Sequence, residues 1–357
     1  MSVFRNIFLL IFISVITGAS AEIVWIEKDY DFGLMKEEAG PQTGKARFIN
    51  KGPVEICVTG VRTSCGCTSA TYPQEPVSPG DTATITFTYD PKGRPGRFQK
   101  SVRVYVGDSD TYLVRIKGNV LGTPQSLSKL YPIENGALRL SEALVAAGDV
   151  TYGTTRHFFV NGYNQSGDSI TPVILCTDPA LSVSASQEKL GPGDIVTYGL
   201  YFNSRNVSEM GFVDIPVKLI ADKDNPGKEV TISLTANVTP DLSGLTTEDV
   251  DHGPRCYLLP ERIDMGILKT GRKNPRFKFA IRNEGEKEMR IMRVYSPSGK
   301  IKISRFPAKL NVGKAGEAEG ILLLDKVSSS PFNIKIEIIT NDPLHPVRIL
   351  HLVGQIE

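Results

Sequence analysis

Apolar residues recur at every second position in short runs along most of this chain. In Thr82 to Tyr89, Ile85, Phe87 and Tyr89 share one face while Thr84, Thr86 and Thr88 share the other. In Ser101 to Val106, Val102, Val104 and Val106 alternate with Ser101, Arg103 and Tyr105. A period of two sends successive side chains to opposite faces, so each run predicts a strand buried on one side. The runs return about every 10 residues between Gly, Pro, Asn and Asp, the spacing of antiparallel sandwiches. Almost no stretch after Glu22 carries a helical period, so the predicted fold class is all-β.

A longer period lies over this one. The first repeat, about Ile23 to Val120, has Phe32-Gly33, a strand ending Arg47-Phe48-Ile49-Asn50 before Lys51-Gly52, then Ser78-Pro79-Gly80-Asp81, and a closing Ile116-Lys117-Gly118-Asn119-Val120. The second, about Tyr131 to Val238, has Arg156-His157-Phe158-Phe159-Val160-Asn161-Gly162, then Gly191-Pro192-Gly193-Asp194-Ile195, then Leu234-Thr235-Ala236-Asn237-Val238. The third, about Tyr257 to Glu357, has Met265-Gly266, Phe279-Ala280-Ile281-Arg282-Asn283-Glu284-Gly285, and a closing Leu352-Val353-Gly354-Gln355-Ile356. In the Pro-Gly-Asp turns Pro presets φ and Gly permits a positive φ. Asp224 to Gly227 and Asn341 to Pro346 are expected to join the last two strands of their repeats. Leu121 to Leu130 and Thr239 to Arg255 read as linkers. The organisation predicted is three tandem immunoglobulin-like β-sandwich domains, 22–122, 130–239 and 256–357.

The chain opens with a short segment containing Arg5, an apolar run from Ile7 to Ile16, and Ala19-Ser20-Ala21. This is the pattern of a secretory signal peptide, residues 1–21, cleaved after Ala21. The apolar run is shorter than the roughly 20 residues a spanning helix needs. A periplasmic, secreted or cell-surface location is therefore expected. Lys and Arg number 41 against 39 Asp and Glu, with both signs scattered throughout, which leaves no electrostatic footprint for nucleic acid or an anionic membrane.

Phe32-Gly33, Phe48-Ile49-Asn50-Lys51-Gly52, Thr63-Ser64-Cys65-Gly66-Cys67-Thr68 and Val77-Ser78-Pro79-Gly80-Asp81 together resemble an uncharacterised bacterial Ig-like family. That family is known by its Ser-Cys-Gly-Cys-Thr signature and is frequent in secreted proteins of Bacteroidetes. It is similar to the hydin/ASH, major-sperm-protein and PapD-like group. The resemblance covers about the first 100 residues after Ala21; the later repeats lack the paired cysteines. It implies a fold and an envelope location and no enzymatic activity.

All five cysteines lie beyond the signal peptide, in a chain expected to meet an oxidising compartment. For Cys65 and Cys67 the residues leave three readings open: small thiols packed at a turn, a disulfide closing a small ring, or a soft-metal or thiol-redox pair able to grip Cu(I). Packing at a turn is the simplest of the three. No second pair completes a structural zinc site. Cys57 stands between Ile56 and Val58 and is expected to face away from the core. The four histidines are scattered without metal spacing, and Gly253-Pro254 between His252 and Cys256 argues against a catalytic pair. Glu37-Glu38 and Glu248-Asp249 read as solvated loop carboxylates. Trp25 reads as filler between the sheets rather than a carbohydrate platform. Asp81-Thr82-Ala83 and Asp168-Ser169-Ile170 resemble Bacteroidetes O-glycan sites, with Thr82 and Ser169 as acceptors.

No catalytic residue and no cofactor is assigned. The expected function is that of a non-catalytic envelope protein, an interaction or scaffold module whose partner is another envelope or surface protein. The alternatives are a soft-metal or thiol-redox module built on Cys65 and Cys67, and an accessory of glycan hydrolysis.

Overall fold

The computed structural model describes residues 22–107, 110–227, 229–269 and 273–357. The predicted signal peptide lies outside them. Contacts gather the chain into two compact units. The first holds the described residues up to Leu130 together with Tyr163–Asp168 and Gly191–Ile195; the second holds Tyr131–Gly162, Ser169–Leu190 and Val196–Glu357.

In the first unit β1 (Ile23–Glu27), β2 (Asp29–Lys36), β3 (Gln42–Asn50), β4 (Val58–Thr63), β5 (Thr68–Thr71), β6 (Thr82–Tyr89), β7 (Gly96–Val106) and β8 (Asp110–Leu121) make two sheets, ordered β1-β3-β6-β5 and β2-β8-β7-β4. The alternation read from sequence sets their faces. Ile85 and Phe87, Val102 and Val104, and Val114 and Ile116 are wholly buried between the sheets. Trp25 is half-buried against Phe48, with ring centroids 5.2 Å apart, and packs on this core.

Part of the first linker is helical: α1 (Pro124–Leu130) starts on Pro, which has no N–H to leave unsatisfied at a helix start, and buries Leu127. Seven residues are too few to display a helical period. Beside it Glu37, read from sequence as solvated, is only 7% exposed. Its carboxylate accepts hydrogen bonds from Gly93 N (2.7 Å), Thr123 N (2.8 Å) and Ser126 Oγ (2.6 Å), tying the helix to the sandwich. Burial pushes this carboxyl up, but the bonds from Ser126, Thr123 and Gly93 outweigh it and hold the group below its ordinary 4.5. A depressed folded value means stability present above the unfolded value and lost as pH falls through the folded one. Glu37→Gln is therefore expected to cost about 2 kcal/mol at pH 7, with the gap from wild type closing below pH about 4 in thermal melts.

In the second unit β9 (Ile133–Asn135), β10 (Leu138–Leu140), β11 (Leu144–Thr151), β12 (Thr155–Asn164), β13 (Val173–Leu175), β14 (Leu181–Ala185), β15 (Ile195–Asn203), β16 (Gly211–Ile220) and β17 (Glu229–Thr239) make the sheets β14-β15-β12-β10-β9 and β11-β17-β16-β13. The few residues of β12 and β15 that belong to the first unit complete these strands. After α2 (Thr247–Asp251) come β18 (Cys256–Leu259), β19 (Arg262–Leu268), β20 (Arg276–Asn283), β21 (Met289–Tyr295), β22 (Ile301–Arg305), β23 (Lys309–Leu310), β24 (Ala315–Leu322), β25 (Phe332–Thr340) and β26 (Val347–Ile356). They form β18-β20-β24-β22 and β19-β26-β25-β21-β23. Each pair of sheets encloses its own apolar core, one around Leu200, Val217 and Leu234, the other around Ile281, Ile336 and Leu352. The second linker is also partly helical, because Thr246 and Asp249 form a capping box that starts α2.

Two devices recur in all three repeats. β2, β11 and β19 run parallel to the closing strands β8, β17 and β26, and each register slips beside a glycine. Those glycines, Gly33, Gly148 and Gly266, have φ of 65°, 67° and 66°, a left-handed backbone that a side chain would strain. The second device is a fully buried asparagine at the end of β3, β12 and β20. Asn50 Nδ2 donates to Val54 O (2.7 Å) and Val77 O (2.9 Å), and its Oδ1 accepts from Gly52 N (3.0 Å). Asn164 and Asn283 repeat the pattern, donating to Asp168 O and Gly191 O, and to Lys287 O and Leu310 O. The backbone of each also pairs with the Gly-Asp or Gly-Lys turn at 80–81, 193–194 or 313–314. This corrects one landmark: Asn164, not Asn161, closes the strand of the second repeat. Asn161 lies on the outer face of β12 and bonds Thr197 instead.

Candidate functional site

The paired cysteines stand where the chain crosses from β4, at the edge of one sheet, to β5, at the edge of the other. Cys65 and Cys67 are joined in a disulfide with Cα atoms 5.3 Å apart. Of the three readings, packing and cross-linking thus coexist. Cys67 is buried with Met35, Tyr89 and Val120, and Cys65 and Phe98 pack on the same cluster. The rings of Tyr89 and Phe98 stack with centroids 3.7 Å apart. Local polar bonds hold the turn: Thr63 Oγ1 donates to Cys65 O (3.2 Å), Asp90 N to Cys67 O (2.9 Å), and Ser64 N to Ser101 O (2.9 Å). The pair therefore belongs to a small apolar cluster of its own, which Phe32 links to the main core of the first repeat. A disulfide presents no thiolate, so Cu(I) binding by Cys65 and Cys67 would require the reduced protein.

A ring closed over so few residues removes little unfolded-state entropy. Cys65→Ser with Cys67→Ser is expected to lower stability by only about 1–2 kcal/mol in urea unfolding. Thiol titration of the denatured protein should count three free thiols before reduction, from Cys57, Cys176 and Cys256, and all five after it.

The other cysteines are dispersed. Cys57 is exposed, while Ile56 and Val58 are buried, as the alternation predicts. Cys256 is buried; burial, with help from Asp342, pushes its thiol up to about 12. His252 pairs instead with Glu286 at 2.9 Å, and His351 with Asn333. Among the described residues no three His, Cys, Asp or Glu side chains gather in a way that could hold a metal. Thr82 and Ser169 are exposed, Thr82 at the start of β6 and Ser169 just before buried Ile170. Among the described residues no helix is long and apolar enough to cross a membrane.

Sequence reasoning expects edge strands able to accept a partner strand but does not say which strands they are; the sheet order does. β1 and β18 occupy the same place in their repeats: each pairs antiparallel with the strand that ends on a buried asparagine, and each ends its sheet. β1 exposes Val24 (47%) and Ile26 (48%), and β18 exposes Tyr257 (46%) and Leu259 (52%). The equivalent strand of the second repeat, β10, does not end its sheet, because β9 is added to it antiparallel, with Leu138 opposite Asn135 and Leu140 opposite Ile133. Ile133 packs on the core and Asn135 Nδ2 donates to Leu219 O (3.3 Å). Three residues are too few to give a strand signal, though Asn135-Gly136 is the sequence of a tight hairpin.

Residues 23–120 match the family described as "Protein of unknown function (DUF1573)". This is the segment on which the sequence motifs place the resemblance. No curated protein matches the chain. Among solved structures, a protein of unknown function from Porphyromonas gingivalis is 14% identical, the match covering 62% of this chain and 100% of that one with a TM-score of 0.47. The ASH/PapD-like domain of human CEP192 is 10% identical over 30% of this chain and 88% of its own, with a TM-score of 0.25. The CupB2 chaperone of Pseudomonas aeruginosa is 8% identical over 59% of this chain and 98% of its own, with a TM-score of 0.23.

Proposed function

We propose that this chain is a non-catalytic, exported envelope protein, periplasmic or at the cell surface, that binds another envelope protein by accepting an extended strand at β1 or β18. The observation that carries the reading is β9 on β10. The same edge position that is open in two repeats already takes an added antiparallel strand in the third. An open edge offers a row of unpaired backbone groups, and a strand laid on it gains main-chain hydrogen bonds and side-chain contacts together. Val24, Ile26, Tyr257 and Leu259 supply apolar surface beside those groups.

Charges at an edge strand oppose strand addition. Ile26→Lys and Leu259→Lys lie at exposed positions and should leave the fold intact, with stability changed by less than about 0.5 kcal/mol. Affinity capture from the native envelope should recover a partner with wild type and lose it with one of the two variants. Equal capture by wild type and both variants refutes the edge as the site.

A further inference from the structure

We infer that the outer face of the β14-β15-β12 part of its sheet is a binding platform for an uncharged glycan. Along the middle of β12 the period of two separates two faces. Val160 points into the core, while His157, Phe159 and Asn161 share the outer face. An outward position on a strand inside a five-stranded sheet is ordinarily polar, yet Phe159 is 58% exposed there. On the neighbouring β15, Thr197, Gly199 and Tyr201 share that face. Thr197 Oγ1 donates to Asn161 Oδ1 at 2.8 Å, which sets the two strands side by side. His157 meets Tyr201 edge to face at 4.9 Å.

Gly199 shapes the surface. A Cβ built on it would lie 2.8 Å from Tyr201 Oη and 2.9 Å from both Tyr201 Cε2 and Ser184 Oγ. The tyrosine ring thus reaches along its own strand across the glycine instead of standing up from the sheet. Ser184 Oγ donates to Tyr201 Oη at 3.4 Å and holds it there. The result is a low surface with the Tyr201 ring laid on it, Phe159 exposed on the adjacent strand, and hydroxyl and amide groups around them.

The chemistry of this face selects its occupant. None of these residues is a carboxylate, a lysine or an arginine, and Arg139 on the adjoining β10 is paired with Glu134, so these side chains present no permanent charge to a ligand. Thr197 and Ser184 already donate to Asn161 and Tyr201, but an apolar protein surface would desolvate the Asn161 amide N–H groups and the remaining acceptor capacity of the hydroxyls and offer nothing in exchange. A sugar satisfies both halves. Its C–H face lies on an aromatic ring, and its hydroxyls exchange hydrogen bonds with short polar side chains at the rim. This site is separate from the β1 and β18 edges, and it stands if strand addition fails.

The test is titration of the full mature chain with four neutral oligosaccharides: cellohexaose, xylohexaose, mannohexaose and maltohexaose. At least one should bind saturably, with affinity unchanged between low salt and roughly 1 M NaCl because no ion pair is formed. Phe159→Ala and Tyr201→Ala should each weaken that binding by at least about tenfold, the scale of one lost aromatic contact. Gly199→Val should do the same by lifting the tyrosine. Failure of all four sugars to bind, or binding that survives both alanine variants, overturns the inference. So does a loss of self-association in Phe159→Ala, which would make the face an interface between copies.

Discussion

Asn50→Ala should cost about 3–4 kcal/mol, because it strips a wholly buried side chain of all its bonds without removing the groups it served. The N–H of Gly52 and the carbonyls of Val54 and Val77 would remain, with nothing in the core to replace Asn50. Trp25, the only tryptophan, packs on Phe48 two residues away, so its fluorescence reports this core directly. A guanidinium titration should show the Trp25 transition at a clearly lower midpoint in Asn50→Ala. Thr86→Ala, on the outer face of the same sheet, should move it by less than about 0.5 kcal/mol. Equal midpoints would mean that the buried amide is not what ties the Pro-Gly-Asp turn to the strand.

Gly211→Val carries the other large expected effect, through the junction built around β16 and β21. Gly211 has φ of 89°, and a Cβ there would lie 2.6 Å from Tyr295 Oη. That hydroxyl accepts Phe212 N at 2.8 Å and donates to Glu337. Arg293, lying 4.0 Å over the Tyr295 ring, donates to Met210 O (2.7 Å) and Phe212 O (3.1 Å) and pairs with Glu209 (2.9 Å). Valine would therefore meet a backbone penalty of about 1–2 kcal/mol and a steric one of about 1–3 kcal/mol. The two separate in a double-mutant cycle. In a Tyr295→Ala background only the backbone part should remain, so Gly211→Val should cost about 2 kcal/mol less there than in wild type, read by far-ultraviolet dichroism in urea. An undiminished cost would place the whole effect in the backbone.

The strand faces were legible because a period of two is local. Ile85, Phe87 and Tyr89 could be assigned to the core from eight residues alone. Turn chemistry was legible for the same reason, and it located Asn50 and Asn283. It failed at Asn164 because Asn161-Gly162 imitates the pattern three residues earlier. Partners far along the chain, such as the carbonyl of Gly191 that Asn164 Nδ2 reaches at 3.0 Å, distinguish them. Glu37 was misread on similar grounds. Its three donors come from residues 93, 123 and 126, far along the chain, so nothing beside it in sequence announces a buried carboxylate. The short α1, α2 and β9 lack the length to show any period. At the paired cysteines, spacing alone left the bond open. The crossover from β4 to β5 brings the two Cα atoms to 5.3 Å, within reach of a disulfide.

Strand addition at an open edge is tested most directly by placing a photo-cross-linking residue at Val24 or at Tyr257, with Lys45 on the interior strand β3 as control. After irradiation in the intact envelope, the account predicts an adduct from an edge position and none from Lys45. The captured peptide should map to one extended segment of alternating apolar and polar residues, the pattern a strand needs to pair beside an exposed apolar face. No adduct at either edge, or the same adduct from Lys45, would contradict it.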